Sequence, residues 1–198
     1  MSLGINNSGQ VAGQGDINGA THAALWNGNS VTDLGTLGGK SSAAYAINNA
    51  GQVVGESQID GNTAYHATLW NGNAPTDLGT ILGANNSWAW AINSRAQVAG
   101  YSEIYGAGQR ATLWNDTTVI DLNTLLGPDA VSAGWVLTDA RGINDSGIIV
   151  GNAYNTLTHQ GSNFLLEYPL PEPGTFALML SALGLLGLMA RARESSAD

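Results

Sequence analysis

The stretch His66-Ala67-Thr68-Leu69-Trp70-Asn71-Gly72, followed by Thr76-Asp77-Leu78-Gly79, decides the fold, because the same phrase stands on either side of it. Upstream it reads His22-Ala23-Ala24-Leu25-Trp26-Asn27-Gly28 with Thr32-Asp33-Leu34-Gly35. Downstream it reads Arg110-Ala111-Thr112-Leu113-Trp114-Asn115 with Ile120-Asp121-Leu122. Trp26, Trp70 and Trp114 are 44 residues apart, as are Asp33, Asp77 and Asp121. A fixed period of this length marks a chain built from stacked supersecondary units, none of which buries a core alone.

A second phrase interleaves with the first. Ile5-Asn6-Asn7-Ser8-Gly9-Gln10-Val11-Ala12-Gly13 returns at residues 47–55, 92–100 and 143–151, with eight residues from Ile to the last Gly in every copy. Two apolar runs joined by Asn-x-x-Gly read as a β-hairpin, in which Gly supplies the left-handed residue of the turn. The third copy has Ala96 at that Gly position, at a cost on the order of 1 kcal/mol if the backbone keeps its conformation.

Each unit then holds four short extended segments, and the expected fold is all-β: a propeller-like array of four-stranded units, open or partial, over residues 3–38, 39–83, 84–126 and 127–168. The fourth unit lacks an Asp-Leu-Gly strand, and residues 126–140, with Pro128 and Asp129, read as an insertion. Composition agrees. Twenty-seven Gly and only 11% charged residues suit tight turns between strands better than long helices.

Net charge is -9 and Lys40 is the only lysine, so no phosphate-neutralising surface can be assembled and nucleic acid is not an expected partner. The absence of cysteine removes disulfides, thiol catalysis and thiolate metal sites. The amino terminus shows no basic segment followed by an apolar run and begins inside a repeat, which points to a natural or engineered fragment or to a misassigned start.

After Tyr168 the composition changes. Pro169-Leu170-Pro171-Glu172-Pro173-Gly174 is a proline-rich linker, residues 175–190 are a run of 16 uncharged residues expected to form a short transmembrane helix, and Arg191 and Arg193 follow, before a tail that ends at Asp198. Positive charge just beyond the run holds that end on the cytoplasmic side, which leaves the repeats outside.

This order of features, with Pro171, Glu172, Pro173 and Gly174 ahead of the apolar run and Arg191 and Arg193 behind it, resembles the PEP-CTERM sorting signal of Gram-negative exported proteins. The resemblance implies an exosortase as processing partner, inner-membrane anchoring before cleavage, and a final place at the cell surface or in the extracellular matrix of a biofilm. The repeats resemble the HAF extracellular repeat family, most fully in Asp33-Leu34-Gly35-Thr36-Leu37-Gly38-Gly39 and in Ile47 to Gly55. That family carries no established catalytic residues, so the resemblance transfers none.

Candidate chemistry divides along the same line between repeated and irregular positions. His22 and His66 are repeat-equivalent, with Arg110 in the third copy and Asn163 in the fourth, which reads as structure rather than a metal pair. Asp33, Asp77 and Asp121 read as turn or cap residues bonding nearby amides, since identically placed acids have no different environments to give them different roles. Asp16-Ile17-Asn18-Gly19 and Asp60-Gly61-Asn62 read as turns rather than calcium loops. No catalytic residue, metal site or cofactor is expected. The aromatic residues Tyr45, Trp88, Trp90, Tyr101 and Tyr105 crowd the middle units and are candidates to stack on a polysaccharide, against the alternative that they fill the core. The function these readings favour is a non-enzymatic surface or matrix protein with exopolysaccharide as a candidate ligand; the alternative is a glycan-active enzyme or polysaccharide-binding module.

Overall fold

The computed structural model describes residues 2–17 and 19–168. The expected linker, the sorting residues Pro171 to Gly174, the transmembrane run 175–190 and the flanking Arg191 and Arg193 lie outside the described residues.

The described chain is all-β, apart from one short helix and two 3-10 turns. Its strands are β1 (Ser2–Ile5), β2 (Val11–Ile17), β3 (Ala20–Asn27), β4 (Ser30–Gly35), β5 (Gly38–Ile47), β6 (Val53–Ile59), β7 (Tyr65–Asn71) and β8 (Ala74–Gly79). There follow β9 (Asn86–Ile92), β10 (Val98–Ile104), β11 (Gly108–Asn115), β12 (Thr118–Asp121), α1 (Pro128–Ser132), β13 (Trp135–Ile143), β14 (Ile148–Asn155) and β15 (Gln160–Glu167). They form three four-stranded antiparallel sheets, β1 to β4, β5 to β8 and β9 to β12, and one three-stranded sheet, β13 to β15. The segment read as an insertion is α1, started by Pro128 at its first turn, and from Trp135 onward it is already the first strand of the last sheet.

The repeat period returns as register. Trp26 lies opposite Val11, Trp70 opposite Val53 and Trp114 opposite Val98. Because strand residues alternate between faces, each unit has two apolar faces, and neighbours stack one on the other. Ala12, Ala23, Leu25 and Leu34 on the outgoing face of the first unit pack against Ala44, Ile47, Val53 and Trp70 on the incoming face of the second. One period later, Val54, Ala67, Leu69 and Leu78 pack against Ala89, Ile92, Val98 and Trp114.

The first strand of every unit carries a bulge two residues before its Ile-Asn, at Leu3, Tyr45, Trp90 and Arg141. The bulge presses the first-strand carbonyl onto the glycine of the Val-x-Gly strand: a Cβ at Gly55, Gly100 or Gly151 would overlap the carbonyl oxygen of Ala43, Trp88 or Asp139. That close approach is why the second phrase ends in Gly.

Candidate functional site

The bulge turns the side chains of Tyr45, Trp90 and Arg141 out of the ordinary strand alternation at one equivalent position, and Glu56, Tyr101 and Asn152 are equivalent beside them. Three units thus bring unlike side chains into one cluster. Tyr45 stacks on Trp90 with ring centroids 4.5 Å apart, Trp88 stacks on Tyr101 at 4.8 Å, and Trp90 and Tyr101 are 6.3 Å apart. The Arg141 guanidinium lies 4.7 Å over the Trp90 ring.

Polar groups interleave with the rings. Tyr45 donates its hydroxyl to Glu56 Oε1 at 2.8 Å. Arg141 Nε donates to Asp139, and Asn152 Nδ2 donates to the same carboxylate at 3.0 Å. Asp139 is buried, whereas Arg141 is half exposed and forms the open side of the cluster. Burial pushes the Glu56 carboxyl above the usual carboxylate range, against the opposing hydrogen bond from Tyr45. Burial pushes Tyr45 up, and Glu56 adds to it; burial likewise raises Tyr101 to about 12, with Glu103 and Glu56 adding to it. Glu56 Oε2 and Trp90 Nε1 are buried without a hydrogen-bond partner. An acceptor and a donor left unbonded beside stacked rings are groups a polyhydroxylated molecule or ordered water can satisfy.

Of the aromatic residues singled out from the sequence, Tyr45, Trp88, Trp90 and Tyr101 come together here. Tyr105 does not: it is 94% exposed and lies with Thr63, Asn85, Asn86 and Glu103 at a separate shallow pocket. Glu56, Asp139, Arg141 and Asn152 complete the cluster and were missed as a group, because their common place emerges only once the bulges are aligned with the Val-x-Gly strands.

The repeat-equivalent polar residues do other work. Asp33 and Asp77 accept from the amides of Gly35 and Gly79, at 2.8 and 2.7 Å, and Asp121 accepts from Asn123. Asp33 and Asp77 also bond His22 and His66, with Nδ1 to carboxylate distances of 3.0 and 2.8 Å. This pairing of positions eleven apart was not anticipated, yet it follows from neighbouring antiparallel strands that bring His22 and His66 beside their acids. In the fourth unit the His-equivalent residue is Ser162, opposite Ala153, and not Asn163, which lies opposite Asn152. His159 bonds the Tyr154 hydroxyl at 2.9 Å. Asp16 accepts from the Gly19 amide, and Asp60 begins a 3-10 turn.

A second convergence lies at one end of the sheets. Residues 5–7, 47–49, 92–94 and 143–145 line one funnel of about 370 Å³. In each unit the Asn side-chain oxygen accepts the amides two and four residues later, as Asn48 does from Ala50 and Gln52, both at 3.0 Å. Its amide reaches the next unit: Asn6 donates to the Asn48 carbonyl at 3.2 Å, Asn48 to Asn93 at 3.1 Å and Asn93 to Asn144 at 3.1 Å. The residue read as a turn opener is thus also the link between units.

No curated protein matches the chain. Residues 169–193 match the PEP-CTERM protein-sorting motif. The match supports an exported protein that passes the membrane and is sorted by an exosortase.

Proposed function

We propose that the chain is a non-catalytic protein of the cell surface or extracellular matrix, whose repeats, of the HAF extracellular type, form a propeller-like scaffold. The observation that carries this reading is the sorting motif at residues 169–193. In this reading residues 175–190 hold the precursor in the inner membrane, with Arg191 and Arg193 on the cytoplasmic side and Pro171-Glu172-Pro173 at the outer boundary. The prolines keep that boundary extended and accessible to the exosortase. Mass spectrometry of the protein from its host, with and without the exosortase, tests it. A surface form ending near Gly174 is expected when the enzyme is present; a surface form that keeps Asp198 overturns processing, and a cytosolic form overturns export.

The ligand this reading assigns to the repeats is exopolysaccharide, at the partly exposed edges of Tyr45, Trp88 and Trp90, with Tyr101 buried beneath them and Arg141 at the opening. Aromatic rings flanked by hydrogen-bonding groups suit sugar rings. The alternative, a glycan-active enzyme, draws on one observation: Glu56 and Asp139 share the cluster but differ in environment, the first raised by burial and the second paired with Arg141. Trp90→Ala and Glu56→Gln separate the two when assayed on a polysaccharide panel. Retention on polysaccharide that Trp90→Ala abolishes, with no turnover by the parent, fits a binding module; turnover lost in Glu56→Gln replaces it with the enzyme.

A further inference from the structure

The hairpin between β10 and β11 turns through Ile104-Tyr105-Gly106-Ala107, where the Ala107 amide donates to the Ile104 carbonyl at 3.0 Å and Gly106 sits at φ 77°. Such a turn needs glycine at 106 and asks for no aromatic residue at 105. Tyr105 nevertheless holds its ring in solvent, 94% exposed, so neither the turn nor the core accounts for it. The ring stands at a pocket of about 400 Å³ whose other lining residues are all polar: Thr63 between β6 and β7, Asn85 just before β9, Asn86 at its start, and Glu103 on β10. Local hydrogen bonds fix these groups. The Asn85 amide donates to the Glu103 carbonyl at 3.0 Å, and the Asn86 side-chain oxygen accepts the Tyr65 amide at 2.9 Å, which turns Asn86 Nδ2 toward Glu103 Oε2, 3.4 Å away. All five lining residues belong to the second and third units, each of which has a neighbouring unit packed on both sides.

We propose that this pocket is a second carbohydrate site, which takes an uncharged sugar residue of a polysaccharide against the Tyr105 ring. It rests on the reading that the protein meets polysaccharide outside the cell, and on none of the residues of the cluster around Trp90. A tyrosine in the open offers a rigid contact face with only two torsions to fix on binding. A sugar ring carries C–H groups on its faces and hydroxyls around its edge, so one face covers the aromatic ring while the hydroxyls meet the polar wall. Thr63 and Asn85 offer both donors and acceptors there, Asn86 an amide hydrogen, and Glu103 the oxygen Oε1. Glu103 is the only charged side chain among the lining residues, and it is acidic in a chain of net charge -9. A sugar carboxylate is therefore repelled at this pocket and an uncharged sugar is not.

Affinity electrophoresis of the full chain tests this, in a polyoxyethylene detergent that has no sugar head group, with gels containing xylan, glucomannan or dextran and with polygalacturonate as the anionic polymer. Retardation by at least one neutral polymer is expected, with none by polygalacturonate. Tyr105→Ala should weaken that retardation roughly tenfold in apparent affinity, and Tyr105→Trp should keep it. Asn85→Ala should weaken it less than Tyr105→Ala. Both side chains are exposed, so thermal melts of these variants should match the parent and loss of binding is not loss of fold. Trp90→Ala is run alongside to separate the two sites. Loss in Tyr105→Ala alone supports the pocket and removes the cluster, whereas loss in Trp90→Ala with Tyr105→Ala unchanged overturns the second site and leaves the cluster standing. Retardation by polygalacturonate that Tyr105→Ala removes overturns the uncharged class of ligand. No retardation in any gel overturns this inference and the polysaccharide reading together.

Discussion

The side-chain amide of Asn48 donates to the backbone carbonyl of Asn93, 3.1 Å away across the junction between the second and third units. The same amide donates to Gln52 Oε1 at 2.8 Å while the side-chain oxygen accepts two backbone amides of its own turn. One asparagine therefore shapes a hairpin and registers it against the next. Aspartate keeps the two acceptor bonds and loses both donors; serine is too short to make all four.

Removing Asn48 leaves the amides of Ala50 and Gln52 unpaired and takes one of two donors from the Asn93 carbonyl, which keeps the Ala96 amide, so Asn48→Ala is expected to destabilise the repeat domain by about 2 to 3 kcal/mol. In the fourth unit Ile148 replaces the glutamine and Asn144 is exposed, so Asn144→Ala is expected to cost roughly half as much or less. Urea melts of the two variants compare them directly, and equal losses would show that the link between units contributes nothing.

Ala96 is held at φ 60°, where the equivalent residues are Gly9, Gly51 and Gly147 at φ 74°, 81° and 82°. Ala96→Gly relieves the left-handed strain and is expected to stabilise by about 1 kcal/mol, part of it offset by the greater freedom of Gly in the unfolded chain. Gly100→Ala acts in the opposite direction. Its Cβ would fall on the Trp88 carbonyl, which only a backbone shift relieves, so a loss of about 3 kcal/mol or more is expected. Thermal melts of both variants decide the signs.

These two glycine positions mark what the sequence discloses and what it withholds. The hairpin phrase, its constant spacing and the left-handed turn residue are legible because they are local. The requirement at Gly55, Gly100 and Gly151 is not, since it arises from a bulge in the preceding strand. For the same reason Tyr45 and Trp90 could be aligned by their distance to Ile-Asn, and Arg141, at the same distance, was passed over because it carries no ring, whereas Glu56 and Asp139 could not be gathered around them. Asn123 is a like case. As a letter it is drift from Asp-Leu-Gly; in the fold it bonds both the amide and the carbonyl of Leu137, at 2.8 and 3.0 Å, and so ties the third unit to the fourth.

The His66 and Asp77 pair predicts a pH window. The hydrogen bond that His66 donates to Asp77 raises His66 against the opposing effect of burial; burial would raise Asp77, but the bonds it accepts from His66 and the Gly79 amide outweigh this and lower it. The raised His contributes stability below its ordinary value near 6.5, lost as pH rises through the folded value; the lowered Asp contributes above its ordinary value near 3.9, lost as pH falls through the folded one. Stability from the pair is thus greatest between about pH 4 and 6.5. Both side chains are partly exposed, which limits the effect to about 1 kcal/mol or less. His66→Gln should flatten the decline in stability above pH 6.5, read by urea melts across pH; an unchanged profile would remove the pair from the account.

Glu56 carries the opposite sign from Asp77 and connects stability to the candidate site. Burial raises its carboxyl, so the folded protein favours the neutral acid; its contribution is fully present below the ordinary value and lost as pH rises through the folded one. At neutral pH the ionised form leaves Oε2 buried without a partner, while Tyr45 serves only Oε1. Glu56→Gln preserves the shape and an acceptor for Tyr45 and removes the charge, so it is expected to stabilise the domain at pH 7 by on the order of 1 kcal/mol. The gain should fade as pH is lowered and the parent carboxyl takes up its proton. A residue whose replacement stabilises the fold is one kept at a cost, and under the proposed sugar-binding role the rings around Glu56 would give that cost a use. Retention on polysaccharide should therefore fall in the same variant whose melting temperature rises. If Glu56→Gln raises stability and leaves retention unchanged, the carboxylate is not part of a sugar site; if it lowers stability at pH 7, the carboxylate is satisfied in the fold and the pH argument fails with it.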